Sequence, residues 1–258
     1  MILLNRSSSI RHLLRHCHRQ VIAARNKDNL TDFHGKWPEK EQQNFIKDMR
    51  VITDFISEAE EQQLHEEIEP YMSRLRYEFD HWDDAIHGFR ETERKKWYPH
   101  NRDILERVRD IAFQGSIMPY VHILDLAPDG VIKPHVDSTR YCGTTIAGIS
   151  LLSDSVMRLV RTDAQKYEQG DSLNKAGESN ENAATAAAET EAYRHQPAAL
   201  KDDNFYADLL LPRRSLYIMS HTARYNFTHE ILAKEESKFL NAPIEKTRRI
   251  SIICRNEP

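Results

Sequence analysis

A chain of 258 residues, 40% hydrophobic and 29% charged, has the length for one domain of moderate size with appendages and the apolar content for a packed core. It holds no apolar run of about 18 residues, which excludes a membrane-spanning helix, and a formal net charge of −4 argues against a protein built to grip phosphate backbones. Its three cysteines, Cys17, Cys142 and Cys254, stand far apart without a CxxC pair, which favours a reducing compartment over a disulfide framework or a cysteine zinc site.

The first 27 residues carry Arg6, Arg11, Arg15, Arg19, Arg25 and Lys27, with a Ser7-Ser8-Ser9 run and no Asp or Glu. On a helix, Leu3, Ile10, Leu14 and Val21 share one stripe, and Arg11, Arg15 and Arg19 fall beside it. An acid-free, Arg- and Ser-rich amphipathic start predicts a mitochondrial transit peptide over residues 1–30, and thereby the mitochondrial matrix.

The folded domain is expected over residues 49–258. Val51 and Ile52 suit a short strand. Ser57 and Glu60 have the spacing of a capping box, opening a helix on which Leu64, Ile68, Tyr71, Met72 and Leu75 recur. The same helix carries Glu58, Glu60, Glu61, Glu66, Glu67 and Glu69. A second helix is predicted near Arg102 to Phe113, with Ile104, Val108, Ile111 and Ala112 on one face. From Met118 onward, short runs rich in Val, Ile, Leu and Tyr alternate with turn residues. They are Tyr120–Leu126, Val131–Val136, Thr145–Leu152, Val156–Val160, Leu209–Leu211, Leu216–Met219, Tyr225–Ile231 and Ile250–Cys254. Eight strands behind a helical front predict an α+β fold, with supporting N-terminal helices on a two-sheet jelly roll, the double-stranded β-helix. Residues 163–204, rich in Gly, Asn, Ser, Glu and Ala, read as a disordered insertion between two strands.

His135-Val136-Asp137 follows a strand, and residues i and i+2 of an extended chain point to one face. An imidazole and a carboxylate can therefore reach one metal together. His229, on a later strand, can supply a third ligand. Two histidines and one carboxylate leave three positions of an octahedral metal open. The HxD pair alone is weak, since about one accidental match is expected in such a chain, and His81-Trp82-Asp83 is a second match. The weight comes from Arg249-Ile250-Ser251-Ile252-Ile253-Cys254-Arg255. Here Arg249, Ser251, Ile253 and Arg255 alternate to one face of a strand. Arginines turned into a sandwich interior are costly without an anion, and a guanidinium fork matches a carboxylate. His81, Trp82, His87 and Arg90 are candidates for a substrate mouth, against a reading as helix caps and surface packing. Arg224 is either a support of the metal ligands or an exposed strand residue. Cys142 and Cys254 read as buried small hydrophobes, and His122 has no assigned role.

These residues resemble the AlkB family of Fe(II)- and 2-oxoglutarate-dependent dioxygenases. The resemblance covers the chain from about Met49 to its end. It rests on HxD, on Arg224-Tyr225-Asn226-Phe227-Thr228-His229-Glu230-Ile231, and on the Arg249 and Arg255 pair. The segments Tyr77–Asp83, Ala85–Glu91 and Ile132–Ser138 resemble the family's mitochondrial branch. The resemblance implies iron at His135, Asp137 and His229, and 2-oxoglutarate held at Arg249 and Arg255, with Tyr217 and Ser251 completing its pocket and dioxygen as oxidant. Repair members place Asn and Tyr where this chain has Leu124 and Leu126, and they carry a basic front segment that flips a base. The front helix here is Glu-rich, which argues against duplex DNA. The branch implies a mitochondrial protein substrate, with links to fatty-acid metabolism and programmed necrosis. An RNA N-demethylase, whose binding weakens steeply with salt, and a non-catalytic scaffold stabilised by its metal are the alternatives. A zinc hydrolase on the same ligands leaves Arg249 and Arg255 without a purpose.

Overall fold

The computed structural model describes residues 30–79, 85–115, 117–162 and 205–258. The basic N-terminal segment, His81-Trp82-Asp83 and the insertion at 163–204 lie outside the described residues.

The chain order is β1 (Thr31–His34), α1 (Glu39–Asp48), β2 (Met49–Ile52), α2 (Glu58–Met72), β3 (Ile86–Arg94), α3 (Pro99–Ala112), β4 (Val121–His135), β5 (Thr145–Leu151) and β6 (Ser155–Arg161). It continues with β7 (Tyr206–Leu211), β8 (Leu216–Ser220), the short α4 (His221–Tyr225), β9 (Phe227–Ile231), the small pair β10 (Lys238–Phe239) and β11 (Ala242–Pro243), and β12 (Arg249–Arg255). Ten strands form one antiparallel sheet in the order β1-β7-β6-β9-β4-β12-β5-β8-β2, with β3 also paired to β4. The long β4 serves two sets of neighbours. Its first half pairs with β12 and its second half with β9, so the sheet curls into the two layers of a jelly roll.

Alternation along each strand builds two cores. Val121, Ile123, Ile250, Ile252, Cys254, Ala147, Ile149, Leu151, Leu216 and Ile218 face outward to Leu64, Ile68 and Met72 of α2 and Ile104, Leu105 and Val108 of α3. Leu124, Leu126, Ile146, Tyr217, Met219 and Ile253 face inward, between the layers, to Met157, Leu159, Leu209, Phe227 and Ile231. The site residues lie on this inner face.

The crossing of β4 from one layer to the other depends on glycine. The register of β3 against β4 shifts between His87 and Phe89. Gly88 there has φ +64°, and a Cβ on Gly130 would sit 2.5 Å from the Gly88 carbonyl oxygen, so the two backbones meet where no side chain fits. Lys246 closes the same corner. Its buried ammonium donates to the carbonyls of Gly130 and Leu232, and burial pushes its pKa down to about 8.

The predicted capping box is present: Glu60 N–H donates to Ser57 Oγ and Ser57 N–H to Glu60. The acidic run on α2 does not form a free acidic face. Glu61 accepts from Arg213 and the Leu152 amide. Glu67 accepts from Arg94, Asn101 and the Tyr98 amide. Because Tyr98 at the start of α3 makes no cap of its own, Glu67 caps that helix from its neighbour. Glu69 binds Arg248, which also holds the fully buried Asp125 beside Arg90 and Tyr77.

Several expectations need correction. Folding begins before Met49: β1 pairs with β7, and Phe33, Trp37 and Phe45 form an aromatic cluster with Phe205 and Phe227. Tyr71 on α2, Ile111 on α3 and Leu75, just past α2, are exposed and stand outside the apolar face that these helices bury. Tyr225 closes α4 and does not begin a strand.

Candidate metal centre

The inner end of β4 brings His135 opposite His229 in the β4–β9 register, and Asp137 follows two residues on. Their rings lie 4.2 Å apart between centroids. Asp137 Oδ1 is 3.3 Å from His135 Nε2 and 3.5 Å from His229 Nε2. All three offer ligand atoms within 4.8 Å of one another, and no other such cluster stands out among the described residues. The local chemistry suits a metal. His135 Nδ1 lies 2.9 Å from the Lys133 carbonyl oxygen, which only accepts, so Nδ1 carries the proton and Nε2 keeps its lone pair. Burial, together with the neighbouring His135, pushes His229 down to about 3, so it is a neutral donor. Burial alone would raise the Asp137 carboxyl, but the charge of Arg255 beside it outweighs burial and holds Asp137 well below the usual carboxylate range. Two neutral imidazoles and one carboxylate form the donor set of a facial triad, which fits iron(II).

The two arginines of β12 differ. Arg255 is occupied by the protein. Its Nε and Nη2 each lie 3.2 Å from Asp137 Oδ2, and its Nη1 lies 3.2 Å from His122 Nδ1. Arg249 is 2% exposed and, among the described residues, meets no carboxylate. Its Nη2 donates to Ser150 Oγ at 2.9 Å and Ser251 Oγ at 3.4 Å, and its Nε has no partner. A buried guanidinium without a carboxylate beside it suits an anionic ligand. The Tyr217 phenol completes this corner: it is 6% exposed, lies beside Arg249 and Ser251, and is raised in pKa mainly by burial. Gly148 pairs with Tyr217 across β5 and β8. A Cβ there would lie 2.4 Å from Tyr217 Cε1, so the phenol lies across the space that only glycine leaves.

Other candidates fare unevenly. Arg90 donates to Asp125 at 2.7 Å and lies over the Tyr77 ring, so it belongs to the scaffold. His87 lies on β3, at the register shift with β4. His81 and Trp82 lie outside the described residues. Arg224 is fully buried on α4, where its Nη2 donates to the Ser138 carbonyl at 3.2 Å. It is not an exposed strand residue, and among the described residues it is paired with no carboxylate. Cys142 and Cys254 are buried free thiols. Leu124 and Leu126 sit beside Ser251 and Arg249 in register and belong to the apolar core. Sequence reasoning missed Gly148, Ser150 and His122. Their only signal was register: Gly148 faces Tyr217, Ser150 faces Ser251, and His122 lies two residues along from Arg255 once β4, β5, β8 and β12 are laid side by side.

No family model matches the chain. It is 47% identical over 206 residues to the Bos taurus alpha-ketoglutarate-dependent dioxygenase alkB homolog 7, mitochondrial, covering 79% of this chain and 76% of that protein. Identity to the Mus musculus protein of the same name is 46%, with the same coverage. Among solved structures, a Pseudomonas putida prolyl-4-hydroxylase aligns with a TM-score of 0.45 at 10% identity, over 82% of this chain and 94% of that one. The chain belongs to the mitochondrial alkB homolog 7 branch of the AlkB dioxygenase family.

Proposed function

We propose that the chain is a mitochondrial Fe(II)- and 2-oxoglutarate-dependent oxygenase acting on a protein substrate, with residues 1–30 as its transit peptide. The observation that carries this is Arg249: a buried guanidinium with an unpartnered Nε on the same inner face as a three-ligand cluster. A zinc hydrolase or a bare scaffold has no use for it.

His135, Asp137 and His229 would hold iron(II), which when bound supplies the activation of dioxygen coupled to decarboxylation of 2-oxoglutarate. The balance is 2-oxoglutarate, dioxygen and a C–H bond giving succinate, carbon dioxide and a C–OH group. The protein's part is placement. Arg249 binds the distal carboxylate of 2-oxoglutarate, with Ser251 and Tyr217 hydrogen-bonding around it. Arg255 keeps Asp137 ionised. Leu124 and Leu126 line the cosubstrate with apolar surface and keep water from it. A protein substrate is favoured by the state of the basic side chains. Arg90, Arg94, Arg107, Arg213 and Arg248 are each bound to a carboxylate, so they offer little to a phosphate backbone.

The test is succinate release by the full chain with Fe(II), 2-oxoglutarate and oxygen, beside His135→Ala. Succinate from the wild type alone supports the oxygenase. A folded, metal-loaded wild type that releases no more than the variant would leave the scaffold reading standing. Stimulation of turnover by matrix protein, and not by RNA, is the expected second result.

A further inference from the structure

Beyond the triad and the cosubstrate pocket, the inner face carries a chain of side chains from the rim of the sheet to the metal carboxylate. Glu91 Oε2 lies 2.8 Å from His122 Nε2. His122 Nδ1 lies 3.2 Å from Arg255 Nη1. Arg255 grips Asp137 Oδ2 through Nε and Nη2, and Asp137 turns its other oxygen, Oδ1, to both histidines. Strand period explains the alignment. Glu93 is the register partner of His122 on β3, and Ile253 is its partner on β12. Glu91 and Arg255, two residues from those partners, therefore project on the same face as His122, one on each side.

The chemistry fixes a direction. A guanidinium can only donate, so His122 Nδ1 accepts; Nε2 then carries the proton and donates to Glu91. We propose that His122 is a positioning residue of the metal centre: held by Glu91 with Nδ1 unprotonated, it anchors Arg255 against Asp137 and so sets the carboxylate that the metal meets. All three guanidinium nitrogens of Arg255 are then engaged in holding Asp137 and His122, with one N–H on each of Nη1 and Nη2 left to reach a further acceptor. The proposal rests on the oxygenase reading above and concerns how its metal site is held, not whether it exists. A partner behind a metal ligand is typically worth ten- to a hundredfold in metal affinity.

The experiment is titration of the full chain with Co(II), without oxygen or 2-oxoglutarate, read by the cobalt absorption spectrum and by melting temperature. His122→Leu keeps the bulk and removes both hydrogen bonds; ten- to a hundredfold weaker Co(II) binding and an altered spectrum are expected. In His122→Asn, Oδ1 stands where Nδ1 accepted, and recovery of most of the affinity is expected. Glu91, 36% exposed in its side chain, can be changed without opening the core. Glu91→Gln should weaken Co(II) binding by a smaller factor, and it serves as the test if His122→Leu fails to fold. Wild-type Co(II) affinity in His122→Leu would overturn the proposal. So would an Asn variant as weak as the Leu variant, or, should Leu not fold, an unaltered Glu91→Gln. Failure of the wild type itself to bind Co(II) would instead sink the metal-site reading.

Discussion

Replacing Gly148 by alanine adds one methyl group at the point where the cosubstrate pocket has no slack. The new Cβ would lie 2.4, 2.6 and 2.7 Å from Cε1, Cζ and the hydroxyl of Tyr217. Non-bonded carbons settle at about 3.5 Å or more, so the phenol must retreat by about 1 Å from Ser251 and Arg249. Overpacking of this kind costs about 1–3 kcal/mol. Relief of the glycine in a strand returns roughly 0.5–1 kcal/mol, leaving a net loss of about 1–2 kcal/mol. For a chain of this length that is a fall in Tm of roughly 2–8 °C. The effect on the site should be larger, because a 1 Å misplacement can cost up to about a hundredfold. We expect 2-oxoglutarate to bind the Mn(II)-loaded, oxygen-free Gly148→Ala protein about 10- to 100-fold more weakly, measured by calorimetry. Tyr217→Phe, which loses only the hydroxyl, should cost about fivefold, one hydrogen bond's worth. Wild-type 2-oxoglutarate affinity in Gly148→Ala would refute the packing of Tyr217 over residue 148 as the basis of the pocket.

Three further outcomes follow from the same contacts. Arg249→Gln should weaken 2-oxoglutarate binding about a hundredfold, as expected for loss of a charge-assisted pair, and leave Co(II) affinity unchanged; parallel loss of both would contradict the separation of the two arginines. Glu67→Gln removes the charge that caps α3 and binds Arg94. It should cost about 2–3 kcal/mol in urea unfolding, and a loss below about 0.5 kcal/mol would show that the cap is idle. Glu230, on the outward face of β9, is pushed up to about 7 by burial, against the pull of Arg158. Its folded pKa is above the ordinary 4.5, so its contribution is full below that value and is lost as pH rises through 7. Glu230→Gln should therefore be more stable than wild type at pH 8, by roughly 1–2 kcal/mol after solvent screening. The difference should vanish near pH 4.5, and a pH-independent difference in Tm would rule the burial out as its cause.

The sequence exposed those parts of the molecule whose pattern is local. The strand alternation of 249–255 and the i, i+2 spacing of His135 and Asp137 survive unchanged in the structure. The α2 capping box does too, because each depends on neighbours a few residues away. What stayed hidden depends on register between distant strands. The helix Glu39–Asp48 buries only Phe45 and Asp48, and its apolar partners Phe205 and Phe227 lie far down the chain, so no periodicity announces it. Strand β3 (Ile86–Arg94) is not among the strands expected from the sequence, which offers His87 and Arg90 only as a substrate mouth or as helix caps and surface packing. Its Arg90, Glu91 and Arg94 instead find Asp125, His122 and Glu67, none of them local. The acidic front helix argued against nucleic acid as a surface charge. The structure shows Glu61, Glu67 and Glu69 of that helix spent on Arg213, Arg94 and Arg248, pairings that no local pattern announces.

The first described elements close onto the last. Trp37 donates to the Tyr206 carbonyl across 169 residues, and the Asp48 carboxylate receives the Thr222 amide across 174. A chain delivered amino end first, from a ribosome or through an import pore, presents Phe33, Trp37 and Phe45 long before Phe205 and Phe227 arrive to cover them. Folding is therefore posttranslational in kind: the metal ligands, split between β4 and β9, cannot converge until nearly the whole chain is delivered. Until then the aromatic lead segment has no core to cover it.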